Sequence, residues 1–282
     1  MADASNLERF CAPSNGDWLR IGKTCGPFER FEAFFGGHAY DPHRHDTYAL
    51  GYTVSGHQFF RYRGVRQVSL TAHTIVVHPD ETHDGEAGAM GGFRYRMVYL
   101  APETLVSAMA EGSPRALPFV REAVTQDREL LRVLRDLLGD LYETLDDLRV
   151  ATLLGALADC LQRMSGNAPR RMRKLDLPRL RRAAELLSAT REKIVTAADL
   201  EAATGLDRFT LSRQFSQAFG TSPDRYRILR QLDRARQSIV DGRALADAAN
   251  DAGFADQAHF HRHFRRTYGM SPGRYRKLCA AN

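Results

Sequence analysis

Histidines are concentrated in the first third of the chain. Seven of the ten lie between His38 and His83, and His43 and His45 are separated by a single residue. If the segments carrying His43, His45 and His83 form neighbouring strands, three imidazoles meet there, and such a set can coordinate Zn, Fe or Mn. The same side chains can equally contact a small organic ligand or serve only the packing of the strands. Residue type and spacing leave these three roles open.

A second set of residues has side chains suited to reading DNA. Arginine can bridge N7 and O6 of guanine, glutamine can pair with adenine, and phenylalanine or alanine can meet the thymine methyl group. The candidates for base contacts are Arg208, Phe209, Ser212, Arg213, Gln257, Ala258, His259 and Arg262. Arginines near predicted helix ends are better placed for phosphates, which position a protein without specifying sequence. These candidates are Arg225, Arg227, Arg265, Arg266, Arg274 and Arg276.

Both groups of base-contact candidates belong to a motif that occurs twice. The ending Gly-x-Ser-Pro-x-Arg-Tyr-Arg begins at Gly220 in the first copy and at Gly269 in the second, an offset of 49 residues. Each copy reads as a helix, a glycine-containing turn and a second helix, at about 196–219 and about 245–268. A helix-turn-helix unit places its second helix in the major groove. The repeat therefore predicts one protein that reads two stretches of duplex.

Charge is divided unevenly between the two parts of the chain. Residues 1–169 contain 17 Lys and Arg against 22 Asp and Glu, whereas residues 170–282 contain 23 against 12. An acidic front part and a basic back part are typical of a protein in which a single module meets a polyanion. The charge pattern therefore places DNA binding in the last third of the chain.

The pattern of apolar residues predicts strands in the front part and helices behind them. Short β-type runs at Tyr48–Val54, Gln58–Tyr62, Val65–Leu70, Thr74–Val77 and Phe93–Tyr99 are separated by turn residues, which favours a small antiparallel sandwich or barrel. From about residue 127 leucines recur at helical spacing, which predicts one amphipathic helix. The leucines that define its apolar seam are Leu130, Leu134, Leu137, Leu141 and Leu148. They serve either a dimer contact or packing onto the barrel of the same chain.

Composition also indicates the domain boundaries and the compartment. We predict a barrel domain over 1–164, a linker over 165–174 that is rich in small and basic residues, and a helical domain over 175–282. The four cysteines are far apart and form no CxxC pair, the N-terminus is polar, and no apolar run approaches the roughly 20 residues of a membrane span. A cytoplasmic protein without membrane contact is expected.

The second repeat carries a family resemblance. The segments 253–264 and 269–276, beginning Gly253–Phe254–Ala255 and ending Arg274–Tyr275–Arg276, resemble the signature of the AraC/XylS family of bacterial transcription factors. The resemblance covers roughly 175–278. It implies a seven-helix domain whose two recognition helices enter adjacent major grooves of promoter DNA, usually to activate transcription with RNA polymerase. The family's base contacts carry over to the candidates named above, except that Arg208 rests on its position alone. Glu201 departs from the family pattern, where a small alanine is common.

The histidine region is similar to the first cupin motif, with Ala49 in the position where metal-binding cupins usually carry glutamate. Sensor domains of the AraC family share this cupin-like barrel and commonly hold a small effector there without metal. The resemblance therefore implies an effector pocket, no cofactor and a homodimer formed through the leucine helix. The candidate pocket residues are His43, His45, Tyr48, Tyr52, His83, Arg94 and Arg96.

The interpretation that unites these observations is a non-enzymatic, ligand-responsive transcription regulator of α+β class. It would combine an N-terminal cupin-like β-barrel plus helices with a C-terminal all-α domain that carries two helix-turn-helix motifs. The alternative is a metal-binding cupin enzyme fused to a DNA-binding domain, with His43, His45 and His83 as the metal ligands. The alanine at position 49 argues against the usual four-ligand site of such an enzyme.

Overall fold

The computed structural model describes residues 16–23, 26–88, 91–109, 117–166, 175–189 and 195–280. The strands are β1 (Trp18–Ile21), β2 (Phe28–Phe35), β3 (His38–His43), β4 (Tyr48–Gly56), β5 (Gln58–Tyr62), β6 (Val65–Ser69), β7 (Thr74–Val77), β8 (His83–Ala87), β9 (Phe93–Leu100) and β10 (Val124–Thr125). The helices are α1 (Pro102–Ala108), α2 (Arg128–Leu138), α3 (Asp147–Ser165), α4 (Leu177–Ala189), α5 (Ala197–Thr204), α6 (Arg208–Phe219), α7 (Pro223–Val240), α8 (Leu245–Asp251), α9 (Gln257–Tyr268) and α10 (Pro272–Ala280).

The strands form two antiparallel sheets, as the spacing of β-type runs predicts. The larger sheet has the order β1-β2-β9-β4-β7-β10 and the smaller has the order β3-β8-β5-β6. In the smaller sheet His43 lies directly opposite His83 on the neighbouring strand. The predicted α+β architecture, a β-rich part followed by a helical part, is confirmed.

Alternate residues of β4 and β9 face two different apolar layers. Ala49 on β4 and Tyr95 on β9 pack inside the barrel, whereas Leu50 and Val98 face the opposite side of the sheet. That outer side is covered by α2 and α3, whose buried residues include Leu130, Leu134, Leu137, Leu154, Leu157 and Leu161. Because consecutive strand residues point to opposite faces, each strand contributes to both layers.

The prediction of one long leucine helix is wrong. Helix α2 ends at Leu138 and α3 begins at Asp147, with Asp146 accepting a hydrogen bond from Arg149 N as its N-cap. The break is held by Arg30, a fully buried side chain on β2. Its guanidinium donates to the carbonyls of Leu137, Asp140, Leu141 and Glu143 at 2.7–3.2 Å. A cation at a helix C-terminus satisfies carbonyls that no longer have helical partners and favours termination there.

The prediction of a dimer seam along the leucines also needs correction. Four of its leucines are at most 4% exposed and lie in the core between the sheet and its helices, and Leu141 lies in the connection between α2 and α3. Leu148, in the first turn of α3, is 77% exposed. The leucine spacing thus serves packing within one chain, and any homodimer needs another contact surface.

The helical part contains two helix-turn-helix units joined by α7. The first consists of α5 and α6 around a core that includes Phe215, and the second consists of α8 and α9 around Phe260 and Phe264. The capping box of Thr196 and Asp199 starts α5 as its spacing predicts. Of the predicted linker 165–174, residues 167–174 lie outside the described residues.

Both recognition helices end against the barrel. Gly220 and Gly269, which cap α6 and α9 in the left-handed conformation, have φ of 70° and 68°. A Cβ at position 220 would lie 2.8 Å from Cβ of Pro79, and one at position 269 would lie 2.6 Å from Nδ1 of His43. Glycine is needed at both positions, for the backbone conformation and for the close approach of the barrel.

Candidate DNA-binding surface and effector site

The side chains expected to read base edges lie on the exposed faces of α6 and α9. In α6 the set Arg208, Phe209, Ser212 and Arg213 is exposed. Phe209 is 75% exposed, so it takes no part in the core. In α9 the residues Gln257, Ala258 and Arg262 are exposed and His259 is half-buried. The exposed phenylalanine lies beside two exposed arginines, Arg208 and Arg213, on the same helix.

Arg208 is held by a carboxylate that sequence analysis noted as a departure from the family pattern. Glu201 accepts hydrogen bonds from Nε and Nη2 of Arg208, both at 3.1 Å, and from the Arg208 backbone N at 2.8 Å. The side chain of Glu201 therefore restrains Arg208 at the start of the first recognition helix. A base contact by Arg208 would require this pair to open.

Replacement of Glu201 by alanine is expected to strengthen binding of duplex DNA by about two- to fivefold, because an exposed ion pair that competes with DNA is weak. Fluorescence anisotropy with a labelled random-sequence duplex measures this change. Glu201→Gln serves as the matched control, because it keeps an acceptor for the Arg208 backbone while removing the charge. Unchanged affinity in both variants would show that Glu201 does not compete with DNA for Arg208.

Three of the arginines expected on phosphates contact the barrel instead. Arg265 Nε lies 2.8 Å from Oδ2 of Asp41, and Arg274 Nη2 lies 3.3 Å from Oδ2 of Asp17. Arg225 lies 3.4 Å from Oδ1 of Asp80 and also donates to the carbonyl of Arg44 at 3.1 Å. In this arrangement barrel carboxylates pair with three of the arginines that were predicted to contact phosphates.

The remaining phosphate candidates have different surroundings. Arg227 pairs with Asp224 of its own helix, and Arg276 is exposed on α10. Arg266 is exposed, and its carbonyl accepts a hydrogen bond from Arg44 N at 3.1 Å. Sequence analysis missed the three barrel carboxylates, although the acidic charge of the front part was a signal for them.

The three histidines of the cupin-like motif converge at the mouth of the barrel, as their spacing suggests. One ring nitrogen from each of His43, His45 and His83 lies within 4.8 Å of the others. The ring centroids of His43 and His83 are 4.2 Å apart, and those of His45 and His83 are 4.9 Å apart. His43 and His45 are buried and His83 is half-buried.

Burial holds these imidazoles in the neutral form. Desolvation lowers the pKa of His45 to about 3, and the neighbouring His83 adds to the effect. Burial also lowers the pKa of His43 and of His83. The neighbouring rings of His83 and His45 lower the pKa of His43 further. Removing a cation from water is unfavourable, and three imidazoles this close repel one another when charged.

The other four predicted pocket residues do not face this cluster. Tyr48 and Tyr52 pack against the outer helical layer, where Tyr48 Oη donates to the carbonyl of Pro118 at 2.9 Å. Arg94 and Arg96 also point outward and pair with Glu32. The prediction selected the wrong face of β4 and β9, and in a strand a choice of adjacent positions inverts the face.

The inward-facing residues of those strands are the ones sequence analysis missed. Tyr95 and Tyr99 on β9, Tyr40 on β3 and Gln58 on β5 line a cavity of about 30 Å³ beside His43 and His83. In β9 the apolar Phe93, Tyr95 and Met97 alternate with arginines, and this alternation was an available signal for the inward face.

A larger cleft lies where the barrel meets α7 and α9. It measures about 340 Å³ and is lined by Pro42, His43, Arg44, Thr82, Arg225, Ile228, Leu229, His263, Arg266 and Thr267. Three arginines and two histidines contribute to this lining, with apolar side chains on α7. Its size falls in the range of about 300–1,000 Å³ typical of small-molecule sites.

Two helix-turn-helix units with exposed recognition residues, packed on a small double-sheet barrel, define a DNA-binding regulator with a sensor domain. Residues 26–158 match the AraC-like ligand binding domain, and residues 200–278 match a helix-turn-helix domain. The chain belongs to the AraC family of transcription regulators.

Individual relatives agree with this assignment. The chain is 26% identical over 220 residues to YbfI of Bacillus subtilis, an uncharacterised HTH-type transcriptional regulator, covering 77% of this chain and 80% of that protein. It is 36% identical over 103 residues to the transcriptional activator NphR of a Rhodococcus species, covering 36% of this chain and 30% of NphR. Its fold is similar to that of ToxT from Vibrio cholerae in the apo form, with a TM-score of 0.65, 12% identity, and coverage of 92% of this chain and 100% of ToxT.

Proposed function

We propose that the protein binds two neighbouring major grooves of promoter DNA through α6 and α9 and activates transcription together with RNA polymerase. The observation that carries this proposal is the exposure of Phe209, Arg213, Gln257 and Arg262 on two equivalent helices whose apolar faces are buried. These side chain types match base edges. We further propose that the protein acts in the cytoplasm. In the described part of the chain, no helix has the length and hydropathy needed to span a bilayer.

Sequencing of genomic fragments captured by the purified full-length protein tests this function. Two conserved blocks about one helical turn apart are expected, because each recognition helix reads one groove. Capture of fragments without a shared motif, with and without effector candidates, would contradict sequence-specific recognition by both units.

Arg262→Ala provides a sharper test of base readout. The variant is expected to lose about 1–3 kcal/mol of binding free energy on the selected site and to relax specificity at one base pair. Competition binding on a panel of single-base operator variants measures both effects. Arg276→Ala is the matched control, because Arg276 is exposed and its predicted contact is with phosphate. An equal loss on every operator variant would assign Arg262 to the phosphate backbone.

The effector is proposed to be a small organic anion that binds in the cleft between the barrel and α7 and α9. Arg44, Arg225 and Arg266 supply positive charge there, and Ile228 and Leu229 supply an apolar wall. An anion bound between the two parts of the chain would compete with the contacts of Arg225 to Asp80 and to the Arg44 carbonyl. ToxT, which shares this fold, is reported in a crystal structure with an unsaturated fatty acid.

Regulation would then depend on whether the barrel or DNA holds the arginines. With Arg225, Arg265 and Arg274 engaged by the barrel, the described arrangement is proposed to bind DNA weakly. A ligand that favours separation of these contacts would increase the population competent for DNA.

We also propose that the protein forms a homodimer, through a surface other than the buried leucines.

The alternative, a cupin enzyme, receives less support. The cavity beside the histidines measures about 30 Å³, which is small against the roughly 300–1,000 Å³ of typical substrate sites.

A further inference from the structure

The three histidines of the barrel mouth share one hydrogen-bond pattern. Nδ1 of His43 lies 2.8 Å from the carbonyl of Asp41, Nδ1 of His45 lies 2.9 Å from that of Thr47, and Nδ1 of His83 lies 3.0 Å from that of Glu81. A carbonyl can only accept, so in each ring Nδ1 carries the proton and donates it. Nε2 of His45 is thereby left with a lone pair that has no hydrogen-bond partner. Metal-binding histidines are held in this way, with the second nitrogen donating to a backbone carbonyl.

Two buried atoms of this region have no hydrogen-bond partner. Nε2 of His45 and Oε1 of Gln58 are both buried and unpaired, and their side chains are 4% and 6% exposed. Leaving a buried acceptor unpaired is unfavourable. Gln58 lines the same cavity as His43 and His83. The unpaired Nε2 of His45 lies beside the two other imidazoles, where either a metal ion or a water molecule that donates to it would satisfy the lone pair.

The size of the cavity limits what that acceptor can be. Its volume of about 30 Å³ exceeds the 10–15 Å³ needed for one water molecule but not by enough for an organic effector. Ala49, in place of the carboxylate of the motif, contributes to the lining and leaves room for water. Space for one or two water molecules therefore lies beside His43 and His83, and the His45 ring reaches the other side of the His83 ring, 4.9 Å away between centroids.

We propose that His43, His45 and His83 bind a divalent transition metal ion through Nε2, with water completing the coordination, and that the bound ion stabilises the packing of α9 on the barrel. This assignment departs from the expectation, drawn from the family resemblance, of a sensor domain without metal. Three neutral imidazoles favour Zn²⁺ and similar ions over Mg²⁺ or Ca²⁺. Zn–N bonds of about 2.0–2.1 Å place the ligand nitrogens roughly 3.3 Å apart, so the three ring nitrogens, now within 4.8 Å of one another, must move closer when the ion binds.

Asp41 connects the proposed metal site to the second recognition unit. The Asp41 carbonyl that holds His43 belongs to a residue whose own backbone N donates to the carbonyl of Gly269 at 2.8 Å. The Asp41 side chain binds Arg265 of α9. Fixing His43 on an ion therefore fixes the strand segment on which α9 ends. This second part of the inference rests on the proposed competition between barrel and DNA.

Metal binding is measured on metal-free full-length protein by calorimetric titration with Zn²⁺ and by visible absorption with Co²⁺. We expect one equivalent to bind to the wild type, and binding at least about 100-fold weaker in His83→Gln and in His45→Gln. His57→Gln is the matched control on the same barrel, because His57 is exposed. His263→Gln controls for the half-buried histidine pair on α9, where the rings of His259 and His263 are 4.4 Å apart.

Histidine ¹⁵N spectra of the wild type give a second reading that does not depend on the folding of a variant. Three Nε2 signals should shift on addition of Zn²⁺ while their Nδ1 atoms stay protonated. Binding that is lost in His263→Gln but kept in His83→Gln, or no saturable binding to the wild type, would overturn the site.

The link to α9 is tested by DNA affinity with and without one equivalent of Zn²⁺. Binding of a random-sequence duplex is expected to weaken by at least about fivefold in the wild type and to stay unchanged in His83→Gln. Saturable Zn²⁺ binding without any effect on DNA affinity would overturn the link and leave the site in place. Because DNA binding is also measured on the metal-free protein, failure of the proposed function is recognised independently of the metal.

Discussion

Replacement of Asp17, Asp41 and Asp80 by asparagine is expected to tighten binding of duplex DNA and to make it more sensitive to salt. These carboxylates pair with Arg274, Arg265 and Arg225 respectively, so their neutralisation releases three cations. In the wild type the backbone N of Gly36 donates a hydrogen bond to Oδ1 of Asp17 at 2.8 Å, and the amide oxygen of asparagine at position 17 can still accept it. The exchange therefore alters the interdomain charge pairs while keeping this local contact.

The expected size of the effect follows from counterion release. Each additional phosphate contact steepens the slope of log K against log salt by about 0.9, so three contacts add about 2.7. Between 50 and 200 mM salt the affinity of the variant should therefore fall about 40-fold more than that of the wild type. Fluorescence anisotropy on a random-sequence duplex over a salt series gives both slopes.

A control with the same change of charge separates this effect from net charge alone. Asp136→Asn, Asp159→Asn and Glu122→Gln together remove three exposed carboxylates outside the contact with α9 and α10. This control should leave the slope close to that of the wild type. Equal slopes in the two triple variants would show that the barrel does not compete with DNA for the three arginines.

The buried histidines predict a marked loss of stability between pH 7 and pH 5. Burial lowers the pKa of His45 to about 3 and that of His78 to about 4, against 6.5 in an unfolded chain. Protonation of His78 would also disrupt the contact in which its Nε2 accepts from Val120 N at 3.0 Å. Protonation of His45 would place an unpaired donor among two other imidazoles.

The sign of the effect follows from proton linkage. Below pH 6.5 the unfolded chain binds protons that the folded protein does not, so the free energy of unfolding falls as pH falls, until the folded pKa values are reached. At pH 5 each of the two histidines contributes a loss of about 2 kcal/mol relative to pH 7. Burial raises the pKa of Asp46, and its protonation in the folded state offsets part of this loss at the acidic end.

Urea unfolding of the metal-free protein at pH 7, 6 and 5 measures this dependence. His45→Gln and His78→Gln should each reduce the loss by about 2 kcal/mol, whereas replacement of the exposed His57 by glutamine should leave it unchanged. A free energy of unfolding that does not change over this range would contradict neutral buried imidazoles. Addition of Zn²⁺ should steepen the dependence, because the ligands must be deprotonated to bind metal.

Strand positions, most helices and the repeated unit followed from local pattern because each is specified by neighbouring residues. The strands Gln58–Tyr62 and Thr74–Val77 have the predicted bounds. The prediction of one leucine helix was wrong because the helical spacing of leucines continues across Gly139 and Asp146, where the helices themselves are interrupted. Its interruption depends on Arg30, more than a hundred residues away in sequence.

The amino-acid sequence by itself determined the two kinds of domain, the two recognition helices and the identity of the three converging histidines. Periodicity, turn glycines and repeated spacing encode those features locally. Tertiary structure decided which face of β4 meets the cavity, since residues on both of its faces are buried and its sequence does not distinguish them, whereas in β9 the arginines mark the outward face. It also decided that Arg225, Arg265 and Arg274 meet carboxylates of the barrel, because pairs separated by more than 100 residues are set by the packing of whole elements.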